Sequence, residues 1–298
     1  MPGRILVSGS SGLIGGTLLP VLAANGYQVK RLVRGQSSGG DQITWDPLQP
    51  VSPATVSGFT GVIHLAGESI VGRWTDAKKQ RMIESRVRST QNLAQARARA
   101  AEPPRVLVCA SAIGYYGNRG DEILREDSRS GDGFTAELSR QWEAAAQPAR
   151  SAGIRTVHSR FGIVLSRSGG ALSKMLPAFR LGVGGKIGNG RQWMSWIDLQ
   201  DVVGALLHVV KADSLSGPVN VVAPHPVTNA EFTRTLASVL HRPAIFPMPA
   251  FAARLAFGQM ADELLLASQQ VEPEKLLASG YVFQHPTLRG ALQSILSA

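Results

Sequence analysis

Short runs of apolar and β-branched residues alternate with stretches whose apolar positions recur every three to four residues. Residues 4–8 (RILVS) read as a strand closed by the turn GSSG. Residues 13–24 then read as a helix stopped at Asn25-Gly26, where glycine suits the left-handed position after a helix. Pro20 inside it removes one hydrogen bond and predicts a local bend. Residues 28–33, 42–45 and 61–65 follow as strands two to four. A helix over residues 76–100 carries the stripe Ile83, Val87, Thr90 and Ala94, expected to face the sheet. Residues 105–109 are strand five, residues 135–151 a further helix, and residues 155–164 strand six.

This alternation with short loops predicts an α/β fold, a Rossmann-type doubly wound parallel sheet covered on both faces. After Leu165 the pattern changes to the glycine-rich stretch RSGGALSKMLPAFRLGVGGKIGNGRQ, broken by Pro177. WIDLQDVVGALLHVV resumes a helical period, VNVVA (residues 219–223) reads as a strand, and the chain from Thr228 is mostly helical. The reading is therefore a nucleotide-binding domain over residues 1–165 and 196–223. A smaller, discontinuous, mostly helical substrate domain takes residues 166–195 and 224–298.

The most informative turn is Ser8-Gly9-Ser10-Ser11-Gly12-Leu13-Ile14-Gly15, between first strand and first helix. Gly9 permits the tight turn, Gly12 lets backbone approach a pyrophosphate, and Gly15 lets helix pack on strand. Ser11, Leu13 and Ile14 stand at the helix N-terminus, whose free N–H groups and dipole attract phosphate. Strand two ends in LVRG, with Arg34 where an acid would hold the ribose of NAD. A guanidinium there matches a 2′-phosphate, so the expected cofactor is NADP, with Ser37 and Ser38 as further donors.

The spacing Gly-x-x-Gly-x-x-Gly, with HLAG (residues 64–67), RFGIVLS (residues 160–166) and WIDLQDV (residues 196–202), resembles the short-chain dehydrogenase/reductase superfamily. The likeness is to its extended, epimerase-like branch. HLAGESI, SAIGYYG, WEAAA and FRLGVGGKIGNGRQWMSWI narrow it to the epimerase-family subgroup of atypical members with a C-terminal domain of unknown function. The resemblance implies that Leu65, Ala66, Gly67 and Val164 line the cofactor. Arg81 and Arg86 precede Thr90 on the helix after strand four, where the superfamily pattern Asn-x-x-x-Thr has an asparagine in place of Arg86. Arginines there are expected either to reach the cofactor phosphates or an acidic substrate, or simply to cap the sheet edge.

Members of that superfamily work through Tyr-x-x-x-Lys, a phenol whose pKa a lysine lowers. The residues four after Tyr27, Tyr115, Tyr116 and Tyr281 are Arg31, Arg119, Gly120 and His285, so the motif is absent. Alignment through Glu143 puts Thr135 in the tyrosine place and Ser139 in the lysine place. Ser111 lies five residues before Tyr116, where the family pattern has four, and Ala112 fills that place. The remaining catalytic candidates are Ser111, Tyr116 (or Tyr115) and Glu68, with Arg86 nearby.

Two readings follow: an NADP(H)-dependent oxidoreductase or epimerase-like enzyme using other acid/base groups, or a non-catalytic NADPH-sensing protein. A small-molecule substrate is expected between sheet edge and second domain, with Trp193 and Trp196 as flat surfaces and Lys186 or Arg191 meeting an anion. The match of Gly35-Gln36-Ser37-Ser38-Gly39 to a hydrolase elbow is set aside, because a strand rather than a helix follows it.

Composition narrows the field. A chain of 298 residues, 44% hydrophobic and 17% charged, can bury a sizeable core. The net charge of +10 is dispersed, without the basic stripe that nucleic acid would require. No apolar stretch reaches the roughly 20 residues of a membrane span. The N-terminus has no signal-peptide core, and the single cysteine, Cys109, suits a reducing compartment, so a cytoplasmic protein is expected. The six histidines are scattered and predict no metal site. The oligomeric state is left open.

Overall fold

The computed structural model describes residues 3–35 and 39–297. Chain order is β1 (Arg4–Ser8), α1 (Leu13–Ala24), β2 (Gln28–Val33), β3 (Gln42–Thr44), α2 (Pro53–Val56), β4 (Gly61–His64) and α3 (Asp76–Ala98). Next come β5 (Val106–Ala112), a 3₁₀ turn (Ile113–Tyr116), β6 (Ile123–Leu124), α4 (Phe134–Ala144), α5 (Gln147–Ser151), β7 (Arg155–Phe161) and β8 (Ile163–Leu165). Then follow α6 (Gly170–Arg180), β9 (Trp193–Met194), β10 (Trp196–Asp198), α7 (Leu199–Lys211), β11 (Gly217–Val221) and β12 (Val227–Thr228). The chain finishes with α8 (Asn229–Leu240), α9 (Ala250–Phe257), β13 (Gln270–Val271), α10 (Glu274–Ala278) and α11 (Leu288–Ser297).

Among the described residues seven strands pair in the order β11-β7-β5-β4-β1-β2-β3, every pair parallel. Parallel pairing explains the apolar runs of β1, β4 and β5, since both faces are covered. Alternate residues Ile5, Val7, Ile63, Val106 and Val108 pack under Leu18 and Leu22 of α1 and Val202 and Leu206 of α7. The other set, Leu6, Val62, Leu107 and Cys109, meets Leu93 and Ala94 of α3 and Ala146 and Ala149 around α5. A separate core joins α6, α8 and α11 through Leu172, Phe179, Phe232, Leu236 and Leu292.

Several elements depart from the sequence reading. Strand five runs three residues further, to Ala112, and so carries Ser111 inside the sheet. Strand six divides: β8 leaves the main sheet and pairs with β10. The helix over 135–151 breaks after Ala144, and Pro148 opens the second turn, where its missing N–H costs nothing. Helix α1 continues through Pro20. On α3 the buried line is Met82, Arg86, Ser89, Thr90, Leu93 and Ala94, while Ile83 and Val87 are half-buried. Trp196, expected to face a ligand, lies fully buried in the helical core and donates its indole N–H to the His225 carbonyl oxygen. No described helix is long and apolar enough to cross a membrane.

The sharpest constraint on the fold sits at the first turn. A Cβ at Gly15 would stand 2.3 Å from the Gly9 carbonyl oxygen, whereas one at Gly16 meets nothing nearer than 3.8 Å. Gly15→Ala is therefore expected to destabilise the protein by about 2 kcal/mol, as overpacking does. Gly16→Ala is expected to be neutral or stabilising by up to about 1 kcal/mol through helix propensity. Urea unfolding of the two variants checks the contrast.

Candidate functional site

The turn after β1 forms a cradle against the end of β4. Gly9 has φ of +72°, and a Cβ there would lie 2.6–2.7 Å from the Leu65–Ala66 backbone. Only glycine allows that approach. Gly12, the residue before α1, differs: its φ is −78°, and a Cβ would meet only the Gly9 carbonyl oxygen, at 3.3 Å. Ser11 and Gly12 are exposed, while Leu13 and Ile14 are half-buried. Helix α1 has no side-chain cap and no acid in its first turn, so no carboxylate competes for its N-terminal dipole. The Leu13 methyls lie beside Gly169 and Gly170, and Gly170 approaches the Val164 carbonyl oxygen, which brings β8 to the mouth of the cradle. The residues present fit a dinucleotide pyrophosphate.

Beneath the cradle a buried histidine ties strands to helix. His64 Nδ1 lies 2.5 Å from Ser8 Oγ, and Nε2 lies 2.9 Å from Ser89 Oγ. Ser89 directs its own proton to the Ser85 carbonyl oxygen, so it accepts from Nε2–H, and His64 takes the Ser8 proton at Nδ1. Burial holds the imidazole neutral, with its pKa lowered to about 3.

Arg34 directly follows β2 and its side chain is exposed. Asp41, the next acid along the chain, accepts from Arg31 Nε at 2.7 Å. Ser37 and Ser38 lie outside the described residues. Arg81 is exposed on α3. Arg86 is buried and holds the turn that carries Gly67 and Glu68. Its Nη2 donates to the Glu68 carbonyl oxygen (2.9 Å), its Nη1 to that of Met82 (3.3 Å), and its guanidinium stacks 5.0 Å from the Trp142 ring. Burial lowers its pKa to about 10. The Glu68 backbone N–H donates to Ser85 Oγ, and its half-buried carboxylate makes no hydrogen bond among the described residues.

Just beyond β5 stands Tyr116. That residue is fully buried, donates from Oη to Asn220 Oδ1 (2.7 Å) and accepts from Arg160 Nη1 (2.9 Å). Burial pushes its pKa up to about 12, the opposite of an active-site phenol. Ser111, 2% exposed, donates to Glu143 Oε1 at 2.8 Å. Glu143 in turn receives Arg160 as a fork, Nε to Oε1 at 2.8 Å and Nη2 to Oε2 at 2.9 Å. The guanidinium also covers the Tyr115 ring at 3.5 Å. Burial opposes the charge on Arg160, and the paired carboxylate more than restores it, so its pKa stands above the ordinary value. Thr135, in the tyrosine place, sits beside Gly114 and gives both its N–H and its hydroxyl to Glu263. Ser139, in the lysine place, donates to the Thr135 carbonyl oxygen.

The sequence reading missed Arg160, Asn220, Glu126 and Glu263. Arg160, His158 and Asn220 are polar residues within strands of a sheet covered on both faces, a placement that demands partners. Glu263 gave no signal, because its partner lies 128 residues away.

The profile of the NAD dependent epimerase/dehydratase family matches residues 5–223, and a domain of unknown function (DUF1731) matches residues 248–295. The chain is 41% identical over 290 residues to epimerase family protein ML0860 of Mycobacterium leprae, covering 97% of this chain and 94% of that one. It superposes on the crystal structure of human epimerase family protein SDR39U1 (isoform 2) with NADPH, with a TM-score of 0.90 and 38% identity over 99% of both chains. A nucleoside-diphosphate sugar epimerase of Corynebacterium glutamicum matches with a TM-score of 0.83 and 36% identity, over 99% of this chain and 58% of that one.

His158 on β7 is likewise held neutral by burial, its pKa lowered to about 4. Both histidines bind protons more readily unfolded, with an ordinary pKa of 6.5, than folded. Their contribution is therefore complete above pH 6.5 and lost as pH falls toward the folded values. Each is expected to remove about 2 kcal/mol between pH 6.5 and 5. Urea unfolding at pH 7 and pH 5 measures the loss, and His158→Leu should reduce it; a flat profile would contradict two neutral buried imidazoles.

Proposed function

The chain belongs to the NAD dependent epimerase/dehydratase family, and on that premise we propose that it binds NADP(H) in the Gly9–Gly15 cradle. It uses the cofactor on a small molecule held between the carboxyl edge of the sheet and the C-terminal helices. The observation that carries this reading is Gly12, whose ordinary φ has no need of glycine and whose missing side chain faces no protein but Gly9. What such a glycine admits is a ligand's pyrophosphate against bare backbone. The N–H groups of Leu13 and Ile14 and the dipole of α1 hold the phosphates. Arg34 meets the 2′-phosphate, and the human relative crystallised with NADPH agrees with that choice.

The nicotinamide supplies hydride donation or acceptance. Proton movement falls to this chain, and Tyr116 is not suited to it, because its proton and its lone pairs are committed inside the fold. Glu68 is the candidate: it is half-buried just beyond the carboxyl end of β4, its carboxylate makes no hydrogen bond among the described residues, and Arg86 holds its carbonyl oxygen. In this reading residues 1–165 and 196–223 hold cofactor and residues 166–195 and 224–298 hold substrate, and the protein works in the cytoplasm. A second reading, NADPH sensing without turnover, is favoured by the same commitment of Ser111 to Glu143 and of Tyr116 to Asn220.

Fluorescence titration is expected to give tighter binding of NADPH than of NADH, and Arg34→Asp should reduce the ratio about tenfold or more, or about 1.4 kcal/mol. Equal affinities in the native protein would remove Arg34 from the site. Gly12→Val should abolish NADPH binding with circular dichroism unchanged, because valine adopts the φ and ψ found there. Undiminished binding would move the nucleotide elsewhere. On a panel of carbonyl compounds and nucleotide sugars, turnover that survives Tyr116→Phe but not Glu68→Gln supports the enzyme. No turnover on any member supports the sensor.

A further inference from the structure

A second cleft lies on the outer flank of the sheet, and none of its lining residues belongs to the cradle. It measures about 530 Å³ and is bounded by α4 and α5 on one side and by residues 126–129 and Pro218 on the other. Its volume falls within the range of small-molecule pockets. Glu143 and Arg160 form its inner wall, with Tyr115 beside them.

The polar groups in this cleft are what distinguish it from an ordinary surface groove. His158 is 2% exposed, and neither of its ring nitrogens has a hydrogen-bond partner among the described residues. Glu126 is 4% exposed; its Oε1 accepts from the N–H groups of Asn220 and Lys275, while its Oε2 has no partner. Two unpartnered polar side chains lining one cleft are rare, because each loses hydration without recovering a bond. Burial keeps His158 neutral and raises the Glu126 pKa, so both can face a ligand's hydroxyl groups, the imidazole as donor and acceptor alike.

At the rim stand Arg129, Arg140 and Arg150. Arg140 is occupied with Glu137, Ser130 and Gly131. The side chains of Arg129 and Arg150 are without hydrogen bonds or ion pairs among the described residues, and the charge on Arg150 is felt at His158. Asp127 also lines the rim, so the rim is selective rather than uniformly basic. An anion is the group two free guanidiniums recognise best.

We propose that this flank cleft is a binding site for a small hydroxylated anion, its hydroxyls on Glu126 and His158 and its charged end on Arg129 and Arg150. The shared wall gives the site a route to the sheet edge, since the carboxylate that holds Arg160 also accepts the Ser111 proton. The proposal stands independently of the cofactor reading, because the cradle and the cleft share no residue.

The test is calorimetric titration of the full chain with two probes, ribose 5-phosphate and gluconate, which separate a phosphate from a carboxylate source. Ribose and inorganic phosphate, each carrying half of the chemistry, serve as controls. At least one of the two anions is expected to bind saturably and more tightly than either control. Arg150→Ala, an exposed change that leaves the core untouched, and His158→Gln should each weaken it about tenfold. Gly12→Val should leave it unchanged. Failure of both anions to saturate, or affinities indifferent to Arg150→Ala and His158→Gln, would overturn the site. Loss of binding in Gly12→Val alone would place the anion in the cradle and overturn it as well.

Discussion

The ion pair between Glu143 and Arg160 decides what the carboxyl edge of this sheet can do. Two charges taken out of water are costly unless the geometry is close and every remaining atom is satisfied. Here the guanidinium forks onto the carboxylate, and its third nitrogen bonds the Tyr116 hydroxyl. The carboxylate takes the Ser111 proton besides. Removing Glu143 would leave the buried Arg160 guanidinium without its carboxylate, a loss of up to about 3–5 kcal/mol. That pair therefore binds α4, β5, β7 and the turn at residues 113–116 into one unit, and through Tyr116 it reaches Asn220 on β11.

A serine and a tyrosine at the end of the fifth strand look from the sequence like reaction chemistry. In the folded chain both are hydrogen-bonded to the Glu143–Arg160 pair. The same logic explains the missing lysine. With Thr135 and Ser139 in place of the dyad, the N-terminus of α4 is free to be capped by Glu263 from the C-terminal part of the chain, which accepts from two backbone N–H groups and one hydroxyl. A long-range helix cap stands where the acid/base pair would be.

Legibility from the sequence followed the range of the interaction. The first turn was readable because the contacts of Gly12 and Gly15 lie within the turn itself; the approach of Gly9 to the Leu65–Ala66 backbone is long-range, but its positive φ already calls for glycine. Strand and helix order was readable because burial on both faces forces apolar runs. Strand ends were less so, since β5 continues through Ala110 and Ser111, small polar-neutral residues that periodicity does not mark as strand. The break of strand six at Gly162 was hidden as well; a side chain there would collide with the Ser195 carbonyl oxygen, a partner 33 residues away in sequence. Partners far along the chain, such as Asn220 for Tyr116 and Glu263 for Thr135, leave no local trace. What the sequence did carry, unheeded, was His158, Arg160 and Asn220 at alternate positions of two buried strands, all on the face of the flank cleft.

The account turns on whether Tyr116 belongs to the fold or to the chemistry. Carbon-13 tyrosine labelling, with Tyr116→Phe to assign its resonance among the four tyrosines, reads the phenol directly as pH is raised with and without NADPH. The expected result is a Tyr116 signal that titrates well above an ordinary phenol, at about 12, in both states. A Tyr116 phenol that ionises near neutral pH once NADPH is bound would contradict the account and return that residue to the centre of the reaction.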